Sequence, residues 1–299
     1  MKKIQYILMG LASLATVASC TLNKLEEPLP QTLGGEITEV VFTAVAPGEN
    51  TKTTVAGSGP DILWEDQDEI LVFYGADKYQ FVTSLEAPAP VAEFQGSLTG
   101  FTGSTEGAAG NSHAVWAVYP YDWSRTSKNG ESVTVFVPGD QMARTGSYDS
   151  KALVAVACSN SLQLGFYNVC GGLKFKLSKS GVQQVEFRAG GKKALAGSAL
   201  VEMDRDGFPV ISVAEEGQDA QSSVTLTAPY GEAFQPGTWY YLTCLPSVLD
   251  QGYILIFRSE TETGVLEHPV PVEVKRSVWG VLDRPDLSAS FHKEDNKIW

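Results

Sequence analysis

The sequence is poor in the residues that most often build catalytic and metal sites. Its 299 residues include only three histidines and four cysteines. His113, His268 and His292 lie far apart without metal-ligand spacing, and no serine or cysteine stands in an arrangement typical of a nucleophilic triad. The motifs G-x-S-x-G and H-E-x-x-H and phosphate-cradling glycine loops are absent from the sequence. We therefore expect no enzymatic activity, no catalytic residues and no cofactor.

The few cysteines also limit disulfide formation. Apart from Cys20, only Cys158, Cys170 and Cys244 occur, and three thiols cannot pair completely. All three stand in apolar runs and lack metal-ligand spacing, which predicts buried free thiols. One disulfide among them is the alternative, and the sequence does not decide which two cysteines would face each other.

Positive charge is scarce. The 22 lysine and arginine residues face 35 aspartate and glutamate residues, which gives a formal net charge of −13. Nucleic acids and anionic membrane surfaces are bound through basic patches, so this composition argues against both as partners. The acidic turn from Glu65 to Glu69 lacks the register of a D-x-[DN]-x-[DN]-G calcium loop. We expect a solvated turn there and no metal.

The N-terminus has no apolar run long enough to span a membrane. Its apolar stretch, residues 7–17, is shorter than the roughly 20 residues of a transmembrane helix. Two lysines precede this stretch, and Val17-Ala18-Ser19-Cys20 follows it with the small residues of a lipobox. We predict a signal peptide over residues 1–19 and lipidation of Cys20, rather than a buried N-terminal helix. A diacylglyceryl cysteine carries two acyl chains, as stable anchoring requires.

A polar segment at residues 21–27 follows the cysteine and ends in an acidic pair. It resembles the acidic export signals that direct Bacteroidetes lipoproteins to the outer face of the outer membrane, except that Leu25 interrupts it. A solvated tether is the alternative. The prolines and glycines of residues 28–36 suit a linker. We predict a lipidated tether over residues 20–35, on a protein held at the outer membrane and facing the cell exterior.

Beyond the signal, no long segment has a helical period. Short runs rich in β-branched and aromatic residues recur about every 8–12 residues, separated by turn signals such as Asn129-Gly130. Alternation within a run, as in Leu173, Phe175 and Leu177 against two lysines, predicts strands with one dry and one wet face. The sequence thus predicts an all-β fold of antiparallel sandwiches. Strands are expected at residues 37–45, 70–74, 79–83, 92–95, 114–119, 132–137, 152–157, 172–177, 182–188, 194–201, 208–213, 222–227, 238–245, 253–258 and 270–275.

The length of the chain favours two domains. We predict an N-terminal β-sandwich domain over residues 36–160, a C-terminal β-sandwich domain over residues 161–286 and a polar tail over residues 287–299. Within the first domain, Trp64 is expected to fill the core, and Asp68 is expected to cap or bridge the turn before the strand at residues 70–74. Tyr119 and Tyr121 are expected to pack at a sheet rim rather than to bind a ligand.

Several motifs, taken in order, resemble one known family. They are Trp64-x-x-x-Asp68-x-Ile70-x-Val72-Phe73, Ala117-Val118-Tyr119-Pro120-Tyr121, Val137-Pro138 to Gln141 with Gly146-Ser147-Tyr148-Asp149, and Phe166-Tyr167-Asn168-Val169-Cys170-Gly171-Gly172-Leu173-Lys174-Phe175. Together with the strands near residues 37–43 and 240–246, they resemble the fimbrillin-like proteins of Bacteroidetes, the superfamily of major and minor fimbrial subunits. The resemblance extends over about residues 36–284 and covers most of the chain.

The resemblance implies a surface lipoprotein with two tandem transthyretin-like β-sandwich domains. Many such proteins build fimbriae or sit on them as anchor, accessory or tip components, so the implied partners are other fimbrial subunits, joined by β-strand addition. A host glycan or protein receptor is a further implied partner. Polymerising subunits of this family lose their first strand to a protease that cuts after arginine. Because the first arginine here is Arg125, we predict that any maturation cut falls after Lys52 and removes the strand at residues 37–45.

Two further expectations concern the alternative function and the C-terminus. The alternative is a surface glycan-binding lipoprotein that uses Trp116, Trp123 or Trp239 as a stacking platform for sugars. The C-terminus is not expected to act as a donor strand. Residues 270–274 are expected to belong to the last strand of the second sandwich, and the segment beyond them is interrupted by charge and proline. This expectation places the protein at the tip or anchor of an assembly rather than in its repeating stalk.

Overall fold

The computed structural model describes residues 35–47, 62–101, 115–213, 219–229 and 231–293. Cys20, Lys52 and His113 lie outside these residues. The described part is built of strands and turns with one short 3₁₀ helix, Pro285–Ser288, which confirms the all-β fold class. It contains no helix that is long and apolar enough to cross a membrane.

The strands are numbered in chain order. They are β1 (Ile37–Val45), β2 (Glu69–Tyr74), β3 (Asp77–Thr83), β4 (Val91–Thr99), β5 (Val115–Tyr119), β6 (Ser127–Asn129), β7 (Ser132–Val137), β8 (Asp140–Met142), β9 (Ala155–Ser159), β10 (Gln163–Gly165), β11 (Tyr167–Asn168), β12 (Gly171–Lys176), β13 (Val182–Ala189), β14 (Gly197–Met203), β15 (Pro209–Val213), β16 (Ser223–Thr227), β17 (Tyr240–Cys244), β18 (Ser247–Leu249), β19 (Tyr253–Ser259), β20 (Glu262–His268), β21 (Val272–Val274), β22 (Trp279–Asp283) and β23 (Ser290–Lys293).

An eight-stranded sheet is built from strands between residues 37 and 168, in the order β10-β1-β4-β3-β2-β5-β9-β11. One face of this sheet packs around Trp64, which is buried, as the sequence predicts. The indole makes edge-to-face contacts with the rings of Phe94, Tyr119 and Phe166, with centroid distances of 5.0–5.2 Å. Aromatic packing of this kind stabilises a core beyond the area that it buries.

The opposite face of the eight-stranded sheet is covered by a four-stranded sheet in the order β15-β14-β7-β6. Leu71, Phe73 and Trp116 of the first sheet share a core with Val135 and Val201 of the second. Two strand pairs join residues on either side of the domain boundary predicted at residue 160. β7 pairs with β14 in this four-stranded sheet, and β8 pairs with β16 in the six-stranded sheet described next. The boundary itself stays a prediction.

A second pair of sheets encloses the largest core. A three-stranded sheet, β17-β12-β22, lies against a six-stranded sheet, β23-β20-β19-β13-β16-β8. Alternate residues of β12 and β13 point into this core, with Phe175 on one sheet and Phe187 on the other. β18 and β21 form a separate two-stranded sheet. The sandwich-like packing of sheets agrees with the fold class that the alternation predicts.

The expectation that residues 270–274 belong to the last strand is wrong. β22 follows them and pairs in parallel with β12, and β23 pairs with β20. Residues 290–293, within the predicted polar tail, thus extend the six-stranded sheet. The side chain of Asp286 is buried and accepts the backbone N–H groups of Ser178 and Lys179. Charge at this position therefore does not end the packed structure, because backbone donors satisfy the carboxylate.

Candidate binding sites

The first candidate site is the place that β1 occupies in the eight-stranded sheet. All nine residues of β1 pair with β4, from Ile37 opposite Thr99 to Val45 opposite Val91. On the other edge, β10 pairs with β1 at Thr43, Ala44 and Val45. Among the described residues, the outer edge of β1 before Thr43 therefore has no strand beside it.

The inward side chains of β1 fill a row of alternate pockets. Val40, Phe42 and Ala44 are 4%, 0% and 0% exposed, whereas Val41 between them is 42% exposed. Phe42 packs edge-to-face on Phe81, with ring centroids 5.1 Å apart. Without β1, the sheet would present an open groove with free main-chain groups along β4.

The acidic turn before β2 is organised by Asp68, as the sequence predicts. Its carboxylate accepts the backbone N–H of Glu65 at 2.8 Å and the hydroxyl of Tyr119 at 3.1 Å. Burial raises the pKa of Asp68, although these hydrogen bonds act in the opposite direction. Tyr119 is buried in the core rather than placed at a rim. No group of three metal-ligating side chains occurs among the described residues.

The three tryptophans proposed as sugar platforms have different surroundings. Trp116 is fully buried, so it cannot stack on a sugar. Trp239 is half-buried, and the ammonium groups of Lys174 and Lys176 lie 5.1 and 4.7 Å from its ring centroid. Trp123 is more exposed, at 51%, although the Lys78 ammonium also lies 5.3 Å from its ring centroid. Trp123 is therefore the strongest candidate of the three.

A cleft of about 370 Å³ lies beside Trp123. This volume falls at the small end of the range for small-molecule sites, roughly 300–1,000 Å³. Its lining combines apolar strand residues with polar and charged side chains of the loop that follows β5. The lining residues are Val118, Pro120, Tyr121, Asp122, Trp123, Ser124, Arg125, Thr126, Val135, Phe136, Lys151 and Val154.

Hydrogen bonds hold the Trp123 loop in place. Asp122 accepts the backbone N–H groups of Ser124 and Arg125 at 3.2 and 3.0 Å and the Nε of Arg125 at 2.7 Å. Lys78 on β3 donates to the carbonyls of Trp123 and Thr126 at 2.8 and 2.6 Å. Burial disfavours the charged form of Asp122, but these hydrogen bonds and the Arg125 charge outweigh it and lower the pKa. The loop is thus a rigid platform with an ionised carboxylate.

No sequence pattern marks Lys78, Arg125 or Lys151 as parts of a site. One local signal was available: Asp122 lies two residues before Ser124 and just after the strand-ending Pro120, a pattern typical of a side-chain-capped turn. The approach of Lys78 could not be predicted in this way, because it lies 45 residues from Trp123 in sequence.

The cysteines and the described histidines form no reactive arrangement. Cys158, Cys170 and Cys244 are free thiols; Cys170 and Cys244 are buried, as predicted, whereas Cys158 is only partly buried. Burial raises the pKa of Cys158 and Cys170 to about 12 and raises that of Cys244 as well, which suppresses the thiolate that nucleophilic chemistry requires. His268 stacks on Tyr253 with ring centroids 4.8 Å apart.

Comparison with known proteins gives one distant likeness. No protein-family model matches the chain, and no curated protein matches it. One similar solved structure is that of a protein from Bacteroides ovatus whose suggested role is cell adhesion. The two chains share 14% identity with a TM-score of 0.49, over 87% of this chain and 96% of that one. A likeness this distant does not decide the function of this chain.

Proposed function

We propose that this protein is a cell-surface lipoprotein that works as a structural, anchor or tip component of a fimbrial or adhesive assembly, joined to its neighbours by β-strand addition. The observation that carries this proposal is how β1 pairs with β4 and buries alternate side chains in the core. A donor strand must offer alternate apolar side chains and main-chain groups for pairing. β1 offers Val40, Phe42 and Ala44 on its inner side and a full ladder toward β4.

The proposed maturation step would make this strand exchangeable. A cut after Lys52 separates β1 from the chain that continues to Trp64. The strand would then be held by its pairing with β4 and β10, by its buried side chains and by the bond from the Trp64 indole to Ala44. An incoming strand of a neighbouring subunit with the same alternation can then take its place. In this proposal, Cys20 anchors the protein to the outer membrane before the cut. The proposed role is not enzymatic.

Strand exchange can be tested on a nicked protein. A site for a sequence-specific protease replaces Lys52, and the nicked protein is incubated with a fluorescent peptide of residues 36–46. We expect the peptide to displace β1 and to remain bound through gel filtration. A peptide with Phe42→Asp should fail because the charge would enter a buried pocket, whereas a peptide with Val41→Asp should still bind. Equal behaviour of the two variant peptides would contradict the proposal.

The C-terminus supports a position at the tip or anchor. β22 and β23 already pair within this chain, so residues up to Lys293 are not free to serve a neighbour. Deleting residues 287–299 would also remove β23, so the sharper test deletes residues 294–299 alone. We expect filament length in electron micrographs to be unchanged by that deletion. Shortened filaments with a folded subunit would mean that the tail is a donor.

Glycan binding is a second candidate function, favoured by the exposure of Trp123 beside its cleft. Binding of the purified protein to a glycan array tests it. Trp123→Ala should abolish the signal, and Trp239→Ala should leave it unchanged. Loss of signal in both variants would argue against the Trp123 cleft as the site.

A further inference from the structure

We propose that the Trp123 cleft binds a carboxylated sugar of a glycan. The inference rests on glycan binding, the second function proposed above, and adds the chemical class of the ligand. It follows from the charge around the cleft, from the exposed indole and from the rigidity of the loop that carries both.

Positive charge is concentrated at this cleft although the chain carries a formal net charge of −13. Arg125 and Lys151 are the cations that line the cleft, and Asp122 is the one carboxylate in its lining. Lys78 adds a further positive charge next to the loop, whose carbonyls it bonds. Arg125 uses its Nε to bond Asp122. Among the described residues, its two terminal nitrogens and the Lys151 ammonium have no hydrogen-bond or ion-pair partner. These donors suit a carboxylate, which guanidinium groups bind through strong charge-assisted hydrogen bonds.

The rings at the cleft suit a sugar rather than a simple anion. Trp123 is 51% exposed, with the Lys78 ammonium over its ring at 5.3 Å from the centroid, and the electron-rich face of an indole that remains open attracts the C–H groups of a sugar ring. The guanidinium carbon of Arg125 lies 4.1 Å from the ring centroid of Phe136, and its Nε bonds Asp122, so the guanidinium does not have to be ordered when a ligand binds. Asp122 can accept hydrogen bonds from sugar hydroxyl groups. An apolar platform, the Lys151 ammonium, the terminal nitrogens of Arg125 and a carboxylate acceptor together match the groups of a uronic or sialic acid.

The cleft is structurally separate from the groove of β1. Its floor residues Val118, Val135 and Val154 belong to the core between the eight-stranded and four-stranded sheets. The inward residues of β1 belong to the core around Trp64, on the other face of the eight-stranded sheet. Ligand binding and strand exchange should therefore be separable, and the failure of one does not imply the failure of the other.

Calorimetry on the full chain tests this inference with two matched pairs of probes. Trigalacturonate is compared with galactotriose, and sialyllactose is compared with lactose. We expect at least one carboxylated member to bind at least about tenfold more tightly than its neutral partner, as two new charge-assisted contacts predict. Trp123→Ala should abolish this binding. Lys151→Gln should weaken it by about threefold, the effect of one exposed ion pair, and should leave neutral sugars unaffected.

Trp239→Ala and Lys192→Gln are the matched controls, since Trp239 and Lys192 lie outside the cleft, and neither substitution should change the binding of the probes. Equal binding of carboxylated and neutral probes would overturn the inference but leave glycan binding standing. If none of the four probes binds, the inference is overturned. If the protein also binds no glycan on the array, the proposed glycan-binding function is overturned as well. Equal competition by an oligoglutamate peptide would show that the cleft selects charge alone, which would also overturn the inference.

Discussion

The indole N–H of Trp64 donates to the main-chain carbonyl of Ala44 at 3.0 Å. This bond connects the centre of the first core to the strand that the proposed maturation step would remove. Trp64 lies in this core while Ala44 belongs to β1, and the residues between their segments include Lys52. The core can therefore hold β1 in place after a cut, until a competing strand makes the same contacts.

Trp64 should contribute more to stability than any exposed tryptophan. Trp64→Ala removes a fully packed indole and its bond to Ala44, and we expect it to lower the free energy of unfolding by about 3–5 kcal/mol. Trp123→Ala, at a half-exposed position, should change it by less than about 1 kcal/mol. Urea unfolding of both variants measures the difference. Similar losses in the two variants would contradict the placement of Trp64 in the core.

Glu186 should make stability depend on pH. Its buried carboxylate bonds Arg188 at 2.6 and 2.8 Å and Arg258 at 2.6 Å. Burial alone would raise its pKa, but the bonds and charges of both arginines outweigh burial and lower the pKa below the ordinary value of 4.5. A lowered folded-state pKa stabilises the protein fully above pH 4.5, and this stabilisation is lost as pH falls through the folded-state value.

Glu186→Gln should therefore be costly at neutral pH and nearly neutral in acid. At pH 7 we expect a loss of about 1.5–3 kcal/mol, the range for hydrogen bonds to charged groups. The difference from the parent protein should shrink below pH 4.5, in urea titrations at a series of pH values. Glu202→Gln, at an exposed position, is the control. A loss that does not change with pH would mean that the carboxylate charge is not what stabilises this site.

The thiols should resist modification in the folded protein. The raised pKa of Cys158 and Cys170, about 12, and the burial of Cys170 and Cys244 leave little accessible thiolate at pH 8. We expect slow labelling by a disulfide reagent, with Cys158 first because it is partly exposed. Unfolding should expose all three, identified by mass spectrometry. If neither Cys170 nor Cys244 is labelled after unfolding without reductant, the two form a disulfide, which would contradict this prediction.

Asp286 should stabilise the C-terminal strands. Its buried carboxylate accepts the N–H of Ser178 at 3.0 Å and that of Lys179 at 2.7 Å. Asp286→Ala leaves these donors without an acceptor, and we expect a loss of about 2 kcal/mol in the free energy of unfolding. Asp283→Ala removes exposed ion pairs with Lys176 and Arg284 and should cost less than about 1 kcal/mol. Equal costs would show that Asp286 has no special role.

Local patterns predict most of this fold. β1 and β7 have the predicted bounds, and Trp64 and Asp68 have the predicted roles, because alternation and turn chemistry act between residues close in sequence. The last strand, β23, is not predicted, for the opposite reason. Residues 283–293 look polar, and only the distant amides of Ser178 and Lys179 explain how Asp286 is buried. Pairing between β7 and β14 likewise depends on contacts across the chain.

The candidate sites were predicted in part. Three tryptophans were proposed as platforms from the sequence, but burial distinguishes Trp116 from Trp123, and burial is a property of the packed sheets. The cations at the Trp123 cleft come from β3, from the loop after β5 and from the turn before β9. No spacing rule joins such residues, so their convergence is visible only in the folded chain.

The central claim is that β1 occupies a groove that a donor strand fills in the assembled form. Identifying the N-terminal residue of protein recovered from surface filaments tests this claim. Mass spectrometry of the assembled, detergent-resistant form determines this residue. The account predicts that the assembled chain begins just after Lys52 and lacks residues 37–45, with a strand of a neighbouring subunit cross-linked to β4. An assembled chain that begins with lipidated Cys20 and keeps β1 in its sheet would contradict strand exchange and would favour an anchor that retains its own β1.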